Sequence, residues 1–282
     1  MGSIATSSTV LKARQAQTGD QEAFAPAPID EVVAAIARDK PAVVFAPHVE
    51  TSAGIILPND YIKAVTDAVH AVGGIFVLDC IASGCLWVDM KALGVDVLIS
   101  APQKGWSGPP CCGLVMMSGA GVVALEATTS TSFACDLKKW RDIMVIYENG
   151  GHAYHATVPT DAIAGFAAVM RETEAYGFDK VKSEQQELGD AVRALLASKG
   201  IKSVAAEGFG APGVVVSYTQ DAAVQNGSKF AALGMQIAAG VPLMCDEPEG
   251  FRTFRLGLFG LDKLHNVERS VATLDKALSQ VL

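Results

Sequence analysis

The chain has 282 residues, half of them apolar, and a formal net charge of −8 at pH 7. A chain of this length can bury a sizeable core, in one large domain or two smaller ones. The acidic balance disfavours nucleic acid and anionic membranes as partners, because both bind through basic patches. No apolar run reaches the ~20 residues that cross a bilayer, and the N-terminus lacks the apolar region of a secretory signal peptide.

The six cysteines form neither a C-x-x-C pair nor a Cys/His cluster with zinc spacing, so no metal site or disulfide framework is expected. Cys80 and Cys112 lie in strand-like apolar runs, which suits buried, reduced thiols. The adjacent Cys111 and Cys112 cannot point the same way in a strand. We therefore expect a cytoplasmic protein. An organellar presequence stays open, because the first 19 residues contain basic but no acidic side chains.

In chain order, residues 1–40 begin with a polar stretch that has no apolar periodicity, followed by the helical pattern IDEVVAAIARD. We interpret this region as an irregular N-terminal lead-in. The patterns that follow predict a strand at 43–47, a helix at Asn59–Val72 and strands at 74–79, 95–99 and 112–117. Alternating strands and helices predict a parallel-rich α/β domain over residues 41–160.

The second half of the chain is predicted to be α+β, a smaller C-terminal domain over residues 161–282. The first domain is predicted to contain one more helix, at Asp136–Tyr147. In the second domain the patterns predict helices at Asp161–Tyr176 and about Lys180–Ser198, a strand at 214–216, a helix at Lys229–Ala239, a strand at Phe254–Leu258 and a helix at Asp262–Leu282.

Two charged side chains follow apolar strands of the first domain. Asp79 ends the run 74–79, and Lys104 follows the run that begins at Val97. A short helical crossover separates the runs, so the two residues should lie at one edge of the sheet, where α/β proteins bind ligands. Pyridoxal phosphate needs such a pair, an amine for the imine and a carboxylate that keeps the pyridine nitrogen protonated. A structural ion pair and a solvated surface lysine are the alternatives.

Five segments stand in a fixed order along the chain. They are HVETSAG at 48–54, VLDCIAS with Asp79, SAPQKGWSGPP with Lys104, YHATVP at 154–159 and FRLGLFG at 254–260. This series resembles the class V aminotransferases among the fold-type-I pyridoxal-phosphate enzymes, in the branch of alanine–glyoxylate and serine–glyoxylate (serine–pyruvate) aminotransferases. The resemblance implies a PLP-transferase fold with a large parallel-rich domain, incomplete at its N-terminus, and a smaller C-terminal domain.

The resemblance also implies roles for single residues. Lys104 would form the imine with the cofactor and then move a proton between the substrate Cα and the cofactor. Asp79 would pair with the pyridinium nitrogen, and Ile81 would pack under the ring. The remaining implied roles are a hydroxyl near the phenolic oxygen (Thr51), a phosphate contact (Gln103), contacts to the neighbouring subunit's phosphate (Tyr154 and Thr157) and substrate carboxylate binding (Arg255). The protein would then be a homodimer with shared active sites.

Several of these residues have simpler interpretations when each is taken alone. Thr51 could satisfy backbone groups in a turn, and Tyr154 could be an ordinary interface aromatic. Arg255 lies where apolar and basic residues alternate, as in an edge strand with a solvated charge. We interpret His48 as a core histidine and assign it no chemistry.

The family usually has, ahead of the matched region, a Ser-Gly loop that binds the phosphate and an aromatic that stacks on the ring. Residues 1–40 contain neither, so we expect an N-terminal truncation relative to the family. The implied reaction transfers the amino group of alanine or serine to glyoxylate or pyruvate.

Alternatives are a non-catalytic fragment, or a cysteine desulfurase or lyase. The desulfurase usually shows a histidine where this chain has Gln103. A Rossmann dehydrogenase is disfavoured because no G-x-G-x-x-G follows a strand.

Overall fold

The computed structural model describes residues 7–282, and their secondary structure consists of short strands and mostly amphipathic helices. The helices are α1 (Ile29–Asp39), α2 (Asn59–Ala71), α3 (Met90–Leu93), α4 (Gly119–Glu126), α5 (Leu137–Glu148), α6 (Thr160–Tyr176), α7 (Phe178–Ser198), α8 (Ala222–Gln225), α9 (Ser228–Ala231), α10 (Leu261–Leu264) and α11 (Val267–Val281). The strands are β1 (Arg14–Gln15), β2 (Phe24–Ala25), β3 (Val43–Pro47), β4 (Val49–Glu50), β5 (Ile55–Ile56), β6 (Ile75–Asp79), β7 (Val97–Ser100), β8 (Leu114–Met117), β9 (Val214–Tyr218), β10 (Ala238–Ala239) and β11 (Thr253–Gly257).

The N-terminal half is built on a four-stranded sheet in the order β3-β6-β7-β8. The first three strands are parallel, and β8 runs antiparallel to β7. Alternate residues of a strand face opposite sides, and Phe76, Leu78 and Leu98 turn to the side where α1 and α2 pack. The sequence prediction that Asp79 ends a strand parallel to the one before Lys104 is confirmed.

The C-terminal half holds a three-stranded antiparallel sheet, in which β11 lies between β10 and β9. One face buries Phe254 and Leu256 against α7 and α11. The other face presents Val214 and Val216 to Val49 and neighbouring residues of the first half. This shared core fixes the segment around Val49 against β9.

Residues 7–40 of the N-terminal lead-in are more ordered than the sequence predicts. β1 and β2 form a small antiparallel pair, and the Phe24 side chain is only 2% exposed. The Phe24 amide donates a hydrogen bond to the Val204 carbonyl (2.7 Å), and its ring lies edge-on to Phe251 at 6.2 Å between centroids. Strands of two residues are too short to show a periodicity, so the pattern could not indicate them.

Two predicted helices are wrong in extent. The helix expected at Lys229–Ala239 ends with α9, because Gly234 adopts a left-handed conformation (φ +73°), and the chain then forms β10. The alanine-rich composition favoured a helix, but pairing with β11 prevails there. The helix expected at Asp262–Leu282 is divided into α10 and α11.

The strand predicted at 112–117 begins only at Leu114, and Cys112 is exposed rather than buried. Both corrections have one cause, since the residues before Leu114 belong to the loop that returns to the sheet. None of the helices within residues 7–282 is both long and apolar enough to span a membrane.

Candidate active site

Asp79 is the last residue of β6 and opens the loop of residues 80–87, which we name the aspartate loop. One carboxylate oxygen, Oδ1, accepts a hydrogen bond from the Ile81 amide (2.9 Å). The Cys80 amide donates to the Ile99 carbonyl (2.7 Å), so the first residue of the loop is fixed to the neighbouring strand. Asp79 itself is exposed, and its carboxylate is therefore held at the carboxyl edge of the sheet and open to solvent.

Lys104 lies on a turn of residues 101–109, the lysine turn, which follows β7. The turn is closed by two backbone hydrogen bonds, from the Ser107 amide to the Lys104 carbonyl and from the Gly108 amide to the Pro102 carbonyl, both 2.9 Å. Lys104 is half-buried. Among residues 7–282, its ammonium group has no hydrogen-bond or ion-pair partner, so it is free to bind a ligand.

The lysine turn packs directly on the aspartate loop. A Cβ added to Gly105 would lie 2.2 Å from the Gly84 carbonyl oxygen, so only glycine permits the backbones to come this close. The rings of Trp106 and Trp87 lie 4.9 Å apart beside this contact. The sequence analysis missed the contact. Gly84 and Gly105 each stand beside a sequence motif and could have indicated a close backbone approach. Nothing in the sequence shows that these two glycines contact each other.

The segment of residues 48–54 is held on the other side of the aspartate loop. His48 Nδ1 and Ser83 Oγ are hydrogen-bonded at 2.7 Å, and both residues are buried. Burial lowers the pKa of His48 to about 4, so the ring is neutral at pH 7. The interpretation of His48 as a core histidine is confirmed, whereas its partner Ser83 was not anticipated from the sequence.

Arg255 meets Thr51 across 204 positions of sequence. Its Nη1 donates to the Thr51 carbonyl at 3.4 Å, and its Nε donates to the Ala239 carbonyl at 2.7 Å. β11 is the central strand of its sheet, so the alternative of an edge-strand charge is wrong. The side chain is half-buried, and the structure thus joins the first and the last of the five sequence segments.

The structure does not bring Tyr154 and Thr157 to the lysine turn. Both lie in residues 127–159, which we name the arm, where the Tyr154 hydroxyl and Thr157 Oγ1 are 3.3 Å apart. Tyr154 is 72% exposed. Within the described part of the chain, no hydrogen bond links either residue to Lys104. Their contact with a neighbouring subunit's cofactor stays a prediction.

A half-buried lysine and an exposed aspartate follow neighbouring parallel strands, in an α/β chain with a second smaller sheet, and this arrangement fits what a pyridoxal-phosphate enzyme needs. Residues 12–223 match the family "Aminotransferase class-V". The chain belongs to this family of aminotransferases.

Two curated proteins and one solved structure illustrate the relationship. The chain is 27% identical over 248 residues to the "Soluble hydrogenase, small subunit" of Synechococcus sp. (strain PCC 6716), covering 86% of this chain and 62% of that protein. It is 27% identical over 173 residues to the L-aspartate–glyoxylate aminotransferase of Paracoccus denitrificans (strain Pd 1222), and the match covers 61% of this chain and 42% of that protein. The solved structure of the alanine–glyoxylate aminotransferase from Nostoc sp. superposes with a TM-score of 0.76 at 21% identity, and the match covers 89% of this chain and 64% of that one. The two chains therefore share a fold.

Membership of the family implies pyridoxal phosphate as the cofactor. The residues present fit its ring. Asp79 uses one oxygen to accept from Ile81, which leaves the other for a pyridinium nitrogen, and the Lys104 amine lies at the same edge. Gln103 is exposed next to Lys104 and would be this chain's contact to the phosphate.

Proposed function

We propose that the protein is an aminotransferase that moves the amino group of a small amino acid, alanine or serine, to glyoxylate or pyruvate, with Lys104 as the attachment point of the cofactor. The observation that carries this proposal is the contact between Gly105 and Gly84, which holds the lysine turn against the loop that follows Asp79. When bound, pyridoxal phosphate supplies an electron-withdrawing ring that stabilises negative charge at the substrate Cα.

Lys104 has two tasks in this proposal. It holds the cofactor before substrate arrives. Its released amine then takes the proton from the substrate Cα and delivers it to the cofactor. General acid–base catalysis of this kind contributes roughly 10²–10⁴-fold to a rate. The Lys104 amine suits the second task because no side chain among residues 7–282 competes for it.

Asp79 has an electrostatic task. Its carboxylate keeps a proton on the ring nitrogen, and the hydrogen bond from the Ile81 amide fixes the direction of the carboxylate. Ile81 is half-buried on the same loop and would support one face of the ring.

Arg255 and Thr51 would receive the substrate. A guanidinium presents parallel N–H donors that match a carboxylate, and Arg255 is oriented by the carbonyls of Ala239 and Thr51. Its remaining donors are then available for the α-carboxylate of the amino acid. The Thr51 hydroxyl would lie near the cofactor's phenolic oxygen.

A homodimer is part of the same proposal. The arm exposes large apolar side chains, and its helix α5 has no buried residue. The exposed side chains on α5 are Met144, Val145, Ile146 and Tyr147, and those on the flanking segments are Phe133, Tyr154 and Val158. An exposed apolar patch of this kind marks an interaction surface, and a symmetric second copy is the commonest partner of soluble enzymes. Tyr154 and Thr157 would then face the partner's cofactor.

The names of the relatives carry glyoxylate or pyruvate as the acceptor and differ in the amino donor. One carries aspartate and glyoxylate in its name, and the structural neighbour carries alanine and glyoxylate. The test is an assay of the 282-residue chain with pyridoxal phosphate, in which alanine, serine, aspartate or cysteine is combined with glyoxylate or pyruvate. We expect glycine from glyoxylate with alanine or serine as donor.

The lysine variant provides the control for this assay. Lys104→Ala should lose at least ~10³-fold of the rate, because both tasks of the amine are removed. Lys91→Ala, an exposed lysine on α3, should retain the full rate. Sulfide release from cysteine would instead identify a desulfurase, and binding of the cofactor without any turnover would identify a non-catalytic protein.

A further inference from the structure

Cys111 and Cys112 form a contact that no step of the proposed reaction uses. Their sulfur atoms lie 3.6 Å apart, on the loop between Pro110 and β8. Both cysteines precede β8, so the alternation of side chains that holds within a strand does not apply to them. Cys111 is half-buried and Cys112 is exposed, so small reagents reach the pair.

The other thiols in the sheet region differ from this pair. Burial raises the pKa of Cys80 to about 12 and that of Cys85 to about 11, so both remain protonated at pH 7 and are shielded from reagents. Cys135 is exposed, as Cys112 is, but within residues 7–282 it has no neighbouring thiol. The chain therefore contains an accessible dithiol and, in Cys135, an exposed thiol without a thiol neighbour for comparison, while Cys245 is half-buried.

We propose that Cys111 and Cys112 are a dithiol site that is oxidised to an intramolecular disulfide by small-molecule disulfides. The Cys111 thiolate attacks one sulfur of the small disulfide, forming a mixed disulfide and expelling one thiolate. The Cys112 thiolate then attacks the Cys111 sulfur and expels the second small thiolate. Both cysteine protons pass through water to the two expelled thiolates, so the protein loses two electrons and two protons, and the small disulfide is reduced to two thiols.

Partial burial, and then the hydrogen bond with the Cys111 thiol, raise the pKa of Cys112 to about 11. The step by Cys112 follows the attack by Cys111 because its target is the mixed disulfide that this attack forms. The second step is intramolecular, and the two sulfur atoms start 3.6 Å apart.

The disulfide formed in this way is readily reversed. Adjacent Cα atoms are about 3.8 Å apart across a trans peptide, whereas most disulfides span roughly 4.4–6.8 Å. Closing the ring therefore requires a local change of the backbone, and the strained bond is easily reduced.

The loop concerned is the one that carries Lys104. The pairing of Ser100 with Leu114 closes its base, and both Lys104 and the dithiol lie within the closed segment. The dithiol proposal does not depend on the proposed transamination, because it concerns the thiols alone.

The test is incubation of the native chain with oxidised glutathione, followed by peptide mapping by mass spectrometry. We expect the peptide with both cysteines to lose the mass of two hydrogens and to recover it in dithiothreitol. Cys135 should gain one glutathionyl group, which shows in the same sample that the reagent is active. The Cys112→Ser variant should stop at a glutathionyl group on Cys111, and Cys135→Ser should behave like the wild type at the dithiol.

Two results would overturn the proposal. One is a wild-type chain in which a glutathionyl group persists on Cys111 or Cys112. The other is a dithiol that remains reduced while Cys135 is modified.

Discussion

The two loops around Lys104 and Asp79 differ sharply from the arm in how the chain holds them. The lysine turn and the aspartate loop touch backbone to backbone at Gly105 and Gly84, and the buried pair of His48 and Ser83 supports the aspartate loop from the other side. The arm has few such anchors, and its helix α5 has no buried residue, whereas α7 buries six.

If the proposed homodimer forms, this difference separates the groups that one chain holds in place by itself from the groups that would act at the partner's site. The groups assigned to the ring and the substrate carboxylate are fixed by contacts inside the chain. The groups assigned to a neighbouring phosphate, Tyr154 and Thr157, lie on a surface of exposed apolar side chains. Substitutions in the loops should therefore change the stability or chemistry of the chain itself, and substitutions in the arm should change its association.

The largest effect is expected at the contact between the loops. Gly105→Ala places a Cβ 2.2 Å from the Gly84 carbonyl oxygen, and a backbone atom cannot move aside as a flexible side chain can. We expect the free energy of unfolding to fall by about 1–3 kcal/mol, measured by urea denaturation, with loss of cofactor binding. Gly113→Ala is the matched control, because nothing lies within 4 Å of its added Cβ. Equal stability of the two variants would contradict the packed contact.

Arg255→Ala should weaken substrate binding more than turnover. Hydrogen bonds to charged groups contribute roughly 1.5–3 kcal/mol, which corresponds to a rise of about 10–100-fold in KM for the amino donor. Steady-state kinetics give KM and kcat separately. Arg252→Ala is the control. Arg252 directly precedes β11, its guanidinium donates to the Gln220 carbonyl, and it is assigned no ligand. An unchanged KM in the Arg255 variant would remove this residue from the substrate site.

His48 should make stability depend on pH. Burial lowers the pKa of His48 from the ordinary 6.5 to about 4. Below pH 6.5 the unfolded chain therefore binds a proton at this residue, whereas the folded chain binds it only near pH 4. The stabilisation is complete above pH 6.5 and is lost as the pH falls toward 4. One such group contributes about 2 kcal/mol between pH 6.5 and 5.

The comparison of His48→Gln with the wild type tests this dependence. Urea denaturation at pH 7 and pH 5 should show a smaller difference in the variant by about 2 kcal/mol. His152→Gln, on the exposed arm, should keep the wild-type difference. Identical pH dependence in all three proteins would contradict the burial of a neutral His48.

The smallest effect on the chain itself is expected in the arm. Met144 is 56% exposed on α5, so Met144→Glu should change the stability of the monomer by less than ~0.5 kcal/mol. The same change should convert the dimer to a monomer in sedimentation velocity, because it places a charge in an apolar interface. Val10→Glu, at a position that is 75% exposed outside the arm, should leave the dimer intact. A monomeric wild type would refute the proposed role of the arm.

Much of the fold could be predicted from the sequence because its periodicity is strong. The strand Val43–Pro47 is a short continuous apolar run, and the helix beginning at Asn59 carries apolar residues at helical spacing. The prediction failed where local pattern and tertiary pairing disagree, as at Gly234, where an alanine-rich helix gives way to a short strand paired with β11. It also failed at Phe24, whose burial depends on residues at least 180 positions away.

The site was predictable only as far as strand order allows. Parallel neighbours placed Asp79 and Lys104 at one edge, and that followed from the crossover rule. The meeting of Arg255 with Thr51 and the pairing of His48 with Ser83 join distant parts of the chain, and no local pattern encodes them. The sequence shows Gly84 and Gly105, but it does not show that their backbones are in contact.

The most direct test of the account is the visible absorption spectrum of the 282-residue protein after incubation with pyridoxal phosphate, beside Lys104→Ala. We predict a band in the wild type that borohydride removes, leaving the cofactor covalently bound to Lys104, and no such band in the variant. The same band in Lys104→Ala, or its absence from both proteins, would contradict the assignment of Lys104 as the cofactor's attachment point.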